Sequence, residues 1–133
     1  MIGDQLNVEA MAKRIEGEPP MLLLMLMYTI SGGILTALSI PLILGKIRPN
    51  PWYGFRVKKT LNDPAIWYPA NAYAGKRLFV VGLAGSLIAV VLYFVPNMDI
   101  NTYALSCAGV TVGGLIVSVI QSFLYLRRLP SKP

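Results

Sequence analysis

Three long stretches of the chain contain no charged residue, and polar residues crowd into the segments between them. Met21 to Leu44 is an uncharged run of 24 residues, Leu78 to Val95 one of 18, and Thr102 to Leu126 one of 25. A helix needs about 20 mainly apolar residues to cross the hydrocarbon core of a bilayer. The pattern therefore predicts an all-α integral membrane protein with three transmembrane helices, at 21–44, 78–95 and 102–126. A polar tail at 1–20 precedes a membrane domain at 21–133, in which the segment 45–77 forms the long loop between the first two spans.

Turn and cap chemistry refines these bounds. Pro41 falls near the end of the first run, where a proline in a membrane helix kinks rather than breaks it, and Gly45 is a natural stop. Pro96 and Asn97 end the second run, and PNMDINT reads as a tight polar turn. In the loop, Pro49, Asn50, Pro51 and Gly54 are turn formers and predict a compact, hairpin-like segment. Asn62 or Asp63 can cap a helix whose first position is Pro64. That helix is expected to run through Trp67, Tyr68 and Asn71 into the second span, with a kink at Pro69. The tail does not read as a signal peptide, being net acidic and followed by a full-length span. Leu6, Ala10 and Ile15 give it a weak amphipathic character, and Met21 offers an alternative start.

Composition agrees with this class. Of the 133 residues 55% are hydrophobic and only 14% charged, against about a quarter charged in soluble domains. The formal net charge of +6 raises the question of nucleic acid, but in a membrane chain an excess of Lys and Arg is first an orientation signal. The loop holds Lys46, Arg48, Arg56, Lys58, Lys59, Lys76 and Arg77, and the segment after Leu126 holds Arg127, Arg128 and Lys132. The other side holds only Lys13 and Arg14. Ten against two predicts an N-terminus outside and a C-terminus in the cytoplasm, with no nucleic-acid partner. There is no His, and Cys107 is the single cysteine. Disulfides within the chain and imidazole or thiolate metal sites are excluded, and neither a metal nor a cofactor is expected.

The loop itself is densely patterned. It contains six of the thirteen aromatic residues, and the order Gly45, Ile47, Pro49, Asn50, Tyr53, Gly54, Phe55, Arg56, Thr60, Leu61, Trp67, Asn71 and Gly75 resembles the signature of the SdpI family. These are bacterial membrane proteins typified by an immunity protein against the sporulation-delaying peptide toxin. The resemblance covers Leu44 to Tyr93. It implies a multi-pass protein of the bacterial cytoplasmic membrane, and a toxin-immunity role carries over less directly because larger members have further spans and an additional domain.

Two readings stand for the motif residues. In one, Asn50, Tyr53, Gly54, Arg56, Trp67 and Asn71 form a binding site, with Arg56 gripping a carboxylate or lipid phosphate through its planar fork and the two asparagines directing hydrogen bonds. In the other, Asn50 makes a turn, Asn71 caps backbone groups and Arg56 reaches to headgroups. Lys58, Lys59, Lys76 and Arg77 are placed to attract anionic lipids. Trp52, Tyr53, Trp67, Tyr68 and Tyr73 form either an aromatic pocket or an interfacial belt. Within the spans, Gly82 with Ser86 and Gly109 with Gly113 are small-residue pairs that permit close helix packing, inside the bundle or in a homo-oligomer.

No span contains an ionisable side chain of the kind that marks pumps and proton-coupled transporters. Asp63 and Asp99 are the only carboxylates beyond the tail and fall on opposite sides of the membrane, so paired acid–base chemistry is not expected. The expectation is a non-enzymatic membrane protein that binds a peptide toxin, anionic lipid or a protein partner. A structural or regulatory subunit whose basic loop docks a partner is the alternative.

Overall fold

The computed structural model describes residues 3–5, 8–9 and 20–130; the amphipathic reading of the tail at Leu6, Ala10 and Ile15 lies outside them. Among the described residues the structure is helical, with no strand. Three long helices, α1 (Met21–Ile43), α3 (Pro64–Tyr93) and α4 (Ile100–Arg128), are joined by a loop carrying the one-turn helix α2 (Lys58–Leu61) and by a short turn. All three long helices are long and apolar enough to cross a membrane, and the fold is that of a three-span, multi-pass membrane protein.

The central helix α3 is the spine. It runs antiparallel to both neighbours, and α1 and α4 pack on it far more than on each other. Small residues set the α1–α3 distance. A Cβ at Gly82 would stand 2.6 Å from the Gly32 carbonyl oxygen and 2.9 Å from the Thr36 amide, and one at Gly75 would lie 3.1 Å from the Ser39 carbonyl oxygen. Backbones this close leave room only for hydrogen, which is how helices gain van der Waals contact where lipid supplies no hydrophobic drive. Ser86 adds a cross-helix hydrogen bond to the Thr29 carbonyl at 2.9 Å. On the other flank Val81 packs on Gly114.

At the end of the bundle near the short turn, Ala89, Tyr103 and Cys107 are buried beneath Met21, Leu24, Met25 and Tyr28. Tyr103 carries its hydroxyl to the Ala89 carbonyl at 2.8 Å, which satisfies the one polar group its burial would orphan. The outward faces stay apolar and exposed, as at Leu22, Leu26, Ile30, Ile34 and Leu38 on α1 and Ile116, Val119, Ile120 and Phe123 on α4. That surface suits lipid rather than water.

As the Asp63–Pro64 start predicts, the second span is the apolar half of one 30-residue helix, continuous through Pro69, and α1 continues through Pro41 to Ile43. At about 1.5 Å per residue α3 is ~45 Å long, well beyond a hydrocarbon core of ~30 Å, so its first turns stand clear of the lipid tails. Gly109 and Gly113 do not pack within the bundle: a Cβ at either meets nothing within 4 Å. The residue paired with Gly82 is Gly32, across the α1–α3 seam.

Candidate functional site

The loop between α1 and α3 is a fixed structure built from short-range chemistry. Gly45, with φ +64°, ends α1 in a Schellman motif: the Lys46 amide donates to the Pro41 carbonyl at 3.0 Å and the Gly45 amide to Leu42 at 3.2 Å. Asn50 then closes a turn on its own side chain. Its Oδ1 accepts from the Trp52 and Tyr53 amides at 2.9 and 2.7 Å, and its Nδ2 donates to the Arg48 and Tyr53 carbonyls at 2.8 and 3.2 Å. Arg56 donates back to the Pro51 carbonyl, so both ends of the PWYGF turn are tied. Tyr53 donates to the Leu38 carbonyl, one turn inside α1, and its partial burial pushes the phenol pKa up.

The first half of α3 holds this loop from below. Asp63 caps the helix by accepting from the Ala65 amide at 2.9 Å, with Pro64 at the first position where no amide hydrogen is needed. One turn later Trp67, fully buried, donates its indole N–H to the Ile47 carbonyl at 2.7 Å. Asn71, also buried, accepts from the Phe55 amide through Oδ1 at 2.6 Å and donates through Nδ2 to the Trp67 carbonyl at 3.0 Å. Gly54, at φ +112°, lies against that carboxamide: a Cβ there would collide with Asn71 Oδ1. Only glycine meets both conditions. Thr60 of α2, fully buried, donates to the Phe55 carbonyl at 2.9 Å and accepts from the Val57 amide at 3.0 Å.

The third helix is tied in as well. Phe55 meets Phe123 edge to face at 5.1 Å between ring centres, and with Val57 it packs on the cluster of Ile66, Ala70 and Leu126. Lys59 places its ammonium on the Leu126 and Leu129 carbonyls at 3.1 and 2.7 Å, a cation at the negative end of a helix. It is thus a structural tie and not the free lipid-facing charge its sequence position suggested. Lys58 and Lys76 do remain exposed. Arg77 is partly buried, 5.0 Å from the centre of the Tyr73 ring and 3.0 Å from the Tyr73 hydroxyl, while Tyr73 stacks face to face with Tyr125 at 4.2 Å.

The profile of the SdpI/YfhL protein family matches residues 46–125. The chain belongs to that family. No curated protein and no solved structure matched it. The match extends past the loop and α3, where the sequence resemblance was carried, to take in nearly all of α4.

In this SdpI/YfhL protein the polar motif residues are committed to the fold. Asn50, Asn71, Trp67, Thr60 and Gly54 fix one loop conformation, and the side-chain hydrogen bonds of the first four go to loop and helix backbone. The aromatic residues do not line a shared pocket: Trp67 is completely buried, Tyr73 is stacked on α4, and Trp52 is 85% exposed. What the loop offers outward is basic: Lys46, Arg48, Arg56 and Lys58 are exposed in the same segment as exposed Trp52. Sequence reasoning set Trp52 among several aromatics of equal rank, and only the structure singles it out.

Proposed function

We propose that this SdpI/YfhL protein is a non-enzymatic binding protein of the bacterial cytoplasmic membrane, with the loop on the cytoplasmic side, and that it protects against a membrane-active peptide toxin. The observation that supports this is the exposed Trp52 on a turn fixed at both ends. A rigid exposed indole gives a partner large contact area with little ordering entropy, as anchor residues of interfaces do. Arg48, Arg56 and Lys58, exposed on the same loop, add selection for an acidic or lipid-bound partner. Family membership supports the immunity reading; the exposed turn supports binding as the means.

The test is survival of a sensitive bacterium expressing the chain under a panel of membrane-active peptides, with Trp52→Ala matched for membrane abundance. Trp52 makes no side-chain contact on which the scaffold depends, so the variant should fold. Protection lost in the variant supports the reading. Equal protection by both proteins removes the turn from the mechanism, and no protection against any peptide sinks immunity. In that last case a docking role for the basic loop, as part of a larger membrane assembly, becomes the better account, and a stable second protein retained through purification would support it.

A further inference from the structure

The charge distribution at the loop end of the bundle is one-sided. Between residues 20 and 130 the only carboxylates are Asp63 and Asp99. Asp99 is at the opposite end of the bundle, and Asp63 is occupied in capping α3. Arg77 lies fourteen residues further along the same helix, about 21 Å from that cap. Arg77 is partly buried, and among the described residues its side chain hydrogen-bonds only the neutral hydroxyl of Tyr73. A guanidinium has five N–H donors and a permanent charge, and withdrawing it from water is costly unless a counter-charge is near.

Its depth identifies where that counter-charge comes from. After Arg77, α3 continues for sixteen uncharged residues to Tyr93, about 24 Å of helix. A span that short, in a core of ~30 Å, places Arg77 at the boundary between lipid tails and headgroups. The parallel rings of Tyr73 and Tyr125, at 2° to each other, join α3 to α4 at that level and hold the arginine on one side of the seam. Exposed Lys76 precedes it, and Arg127 and Arg128 follow Tyr125 on α4.

We propose that Arg77, seated on the Tyr73–Tyr125 stack, binds the phosphate of an anionic phospholipid from the adjacent leaflet. The planar fork engages two phosphate oxygens, and Lys76 favours a headgroup with no compensating positive charge. The bound lipid supplies a counter-ion that no described residue places beside Arg77. The inference does not depend on the immunity reading.

Native mass spectrometry of the purified full-length chain tests it, with phosphatidylglycerol or phosphatidylcholine added to the detergent. The expected result is one retained phosphatidylglycerol, with retention falling about fivefold in Arg77→Gln, the effect of one well-placed cation, and falling less in Arg77→Lys. Lys46→Gln, which removes the same charge away from the seam, should change retention less than twofold, and millimolar inorganic phosphate should not displace the lipid. Circular dichroism of each variant separates lost binding from lost folding. Equal losses in Arg77→Gln and Lys46→Gln would mean diffuse attraction and overturn the site. So would equal retention of phosphatidylcholine, or displacement by inorganic phosphate, which would make it a site for the free anion. If Arg77→Gln fails to fold, Arg77→Lys with undiminished retention overturns the forked contact.

Discussion

Asn71 stands in for a strand beside Phe55: its carboxamide oxygen takes the Phe55 amide at 2.6 Å while its nitrogen faces the Phe55 carbonyl at 3.5 Å. A buried side chain from α3 thereby satisfies loop backbone that has no ladder of its own. Asn71→Leu keeps the branched shape and removes the carboxamide's donor and acceptor. It should cost about 1–3 kcal/mol through the orphaned Phe55 amide. A lower unfolding temperature in detergent and faster tryptic cleavage after Arg56 and Lys58 are expected; unchanged cleavage would show that the loop is held by other means.

Gly54 and Asn71 should prove energetically coupled. Gly54→Ala places a methyl group at φ +112° and drives it onto Asn71 Oδ1, for a loss of roughly 1–3 kcal/mol from the backbone strain alone. In an Asn71→Ala background the collision disappears and the strain remains. The double variant should therefore be less destabilised than the two single losses added together, and a double-mutant cycle that sums to zero coupling would refute the contact.

The glycines of the spans divide into two kinds that behave differently. Gly82→Leu must push α1 away, since its Cβ alone would stand 2.6 Å from Thr36 Oγ1 and from the Gly32 carbonyl oxygen. Overpacking of this sort costs typically about 1–3 kcal/mol or more. Gly109→Leu extends into open space, and its effect on monomer stability should lie within about 0.5 kcal/mol. Thermal unfolding of the two variants in one detergent decides the matter. A large loss at Gly109 would point to a partner helix on that face.

The spans were legible because lipid imposes a one-dimensional rule, a minimum length of uncharged residues, and that rule survives without knowledge of neighbours. Helix caps were legible for the same local reason at Gly45 and at Asp63 before Pro64. The role of each motif residue was not. Asn50 bonds only residues within three of itself, as a turn former does, but the roles of Asn71 and Trp67 depend on contacts sixteen or more residues away, Asn71 with Phe55 and Trp67 with Ile47. Likewise, the spacing of Gly109 and Gly113 matches a packing motif as well as Gly82 and Ser86 do. Which pair meets another helix follows from the rotation of α4 on α3, and helix rotation in lipid leaves no trace in hydropathy. Lys59 was misread because two carbonyls at the end of a distant helix leave no mark near it in the sequence.

Acid should loosen the turn between α3 and α4. Asp99 caps α4 by accepting from the Asn101 and Thr102 amides at 3.1 and 3.0 Å, and hydrogen bonding from Thr102, side chain first and then backbone, holds its pKa below the ordinary 3.8. A carboxylate with a lowered folded-state pKa contributes stability that is complete above the unfolded value and is lost as pH falls through the folded one. The loss therefore begins below about pH 4 and deepens on further acidification. Asp99→Asn retains a capping oxygen but cannot titrate, so its unfolding temperature should vary less with pH across that window. Parallel pH curves for the two proteins would remove Asp99 as the cause.

Orientation is the most readily broken of the expectations. The cations Lys46, Arg48, Lys58, Lys76, Arg127 and Arg128 all belong to the end of the bundle that carries the loop, and the turn at the other end, Phe94 to Asp99, has none. Short basic segments resist translocation, so the loop end should face the cytoplasm. Lys58→Cys and Asn97→Cys, both at exposed positions, report on the two faces when the buried Cys107 is replaced by Ala. An impermeant maleimide added to intact cells should label the cysteine at 97 and leave the one at 58 unmodified until the membrane is opened. Labelling of position 58 from outside would invert the topology. The basic loop and Trp52 would then face the exterior, where a toxin arrives, and the proposed protective contact would be made before the peptide crosses the bilayer rather than after.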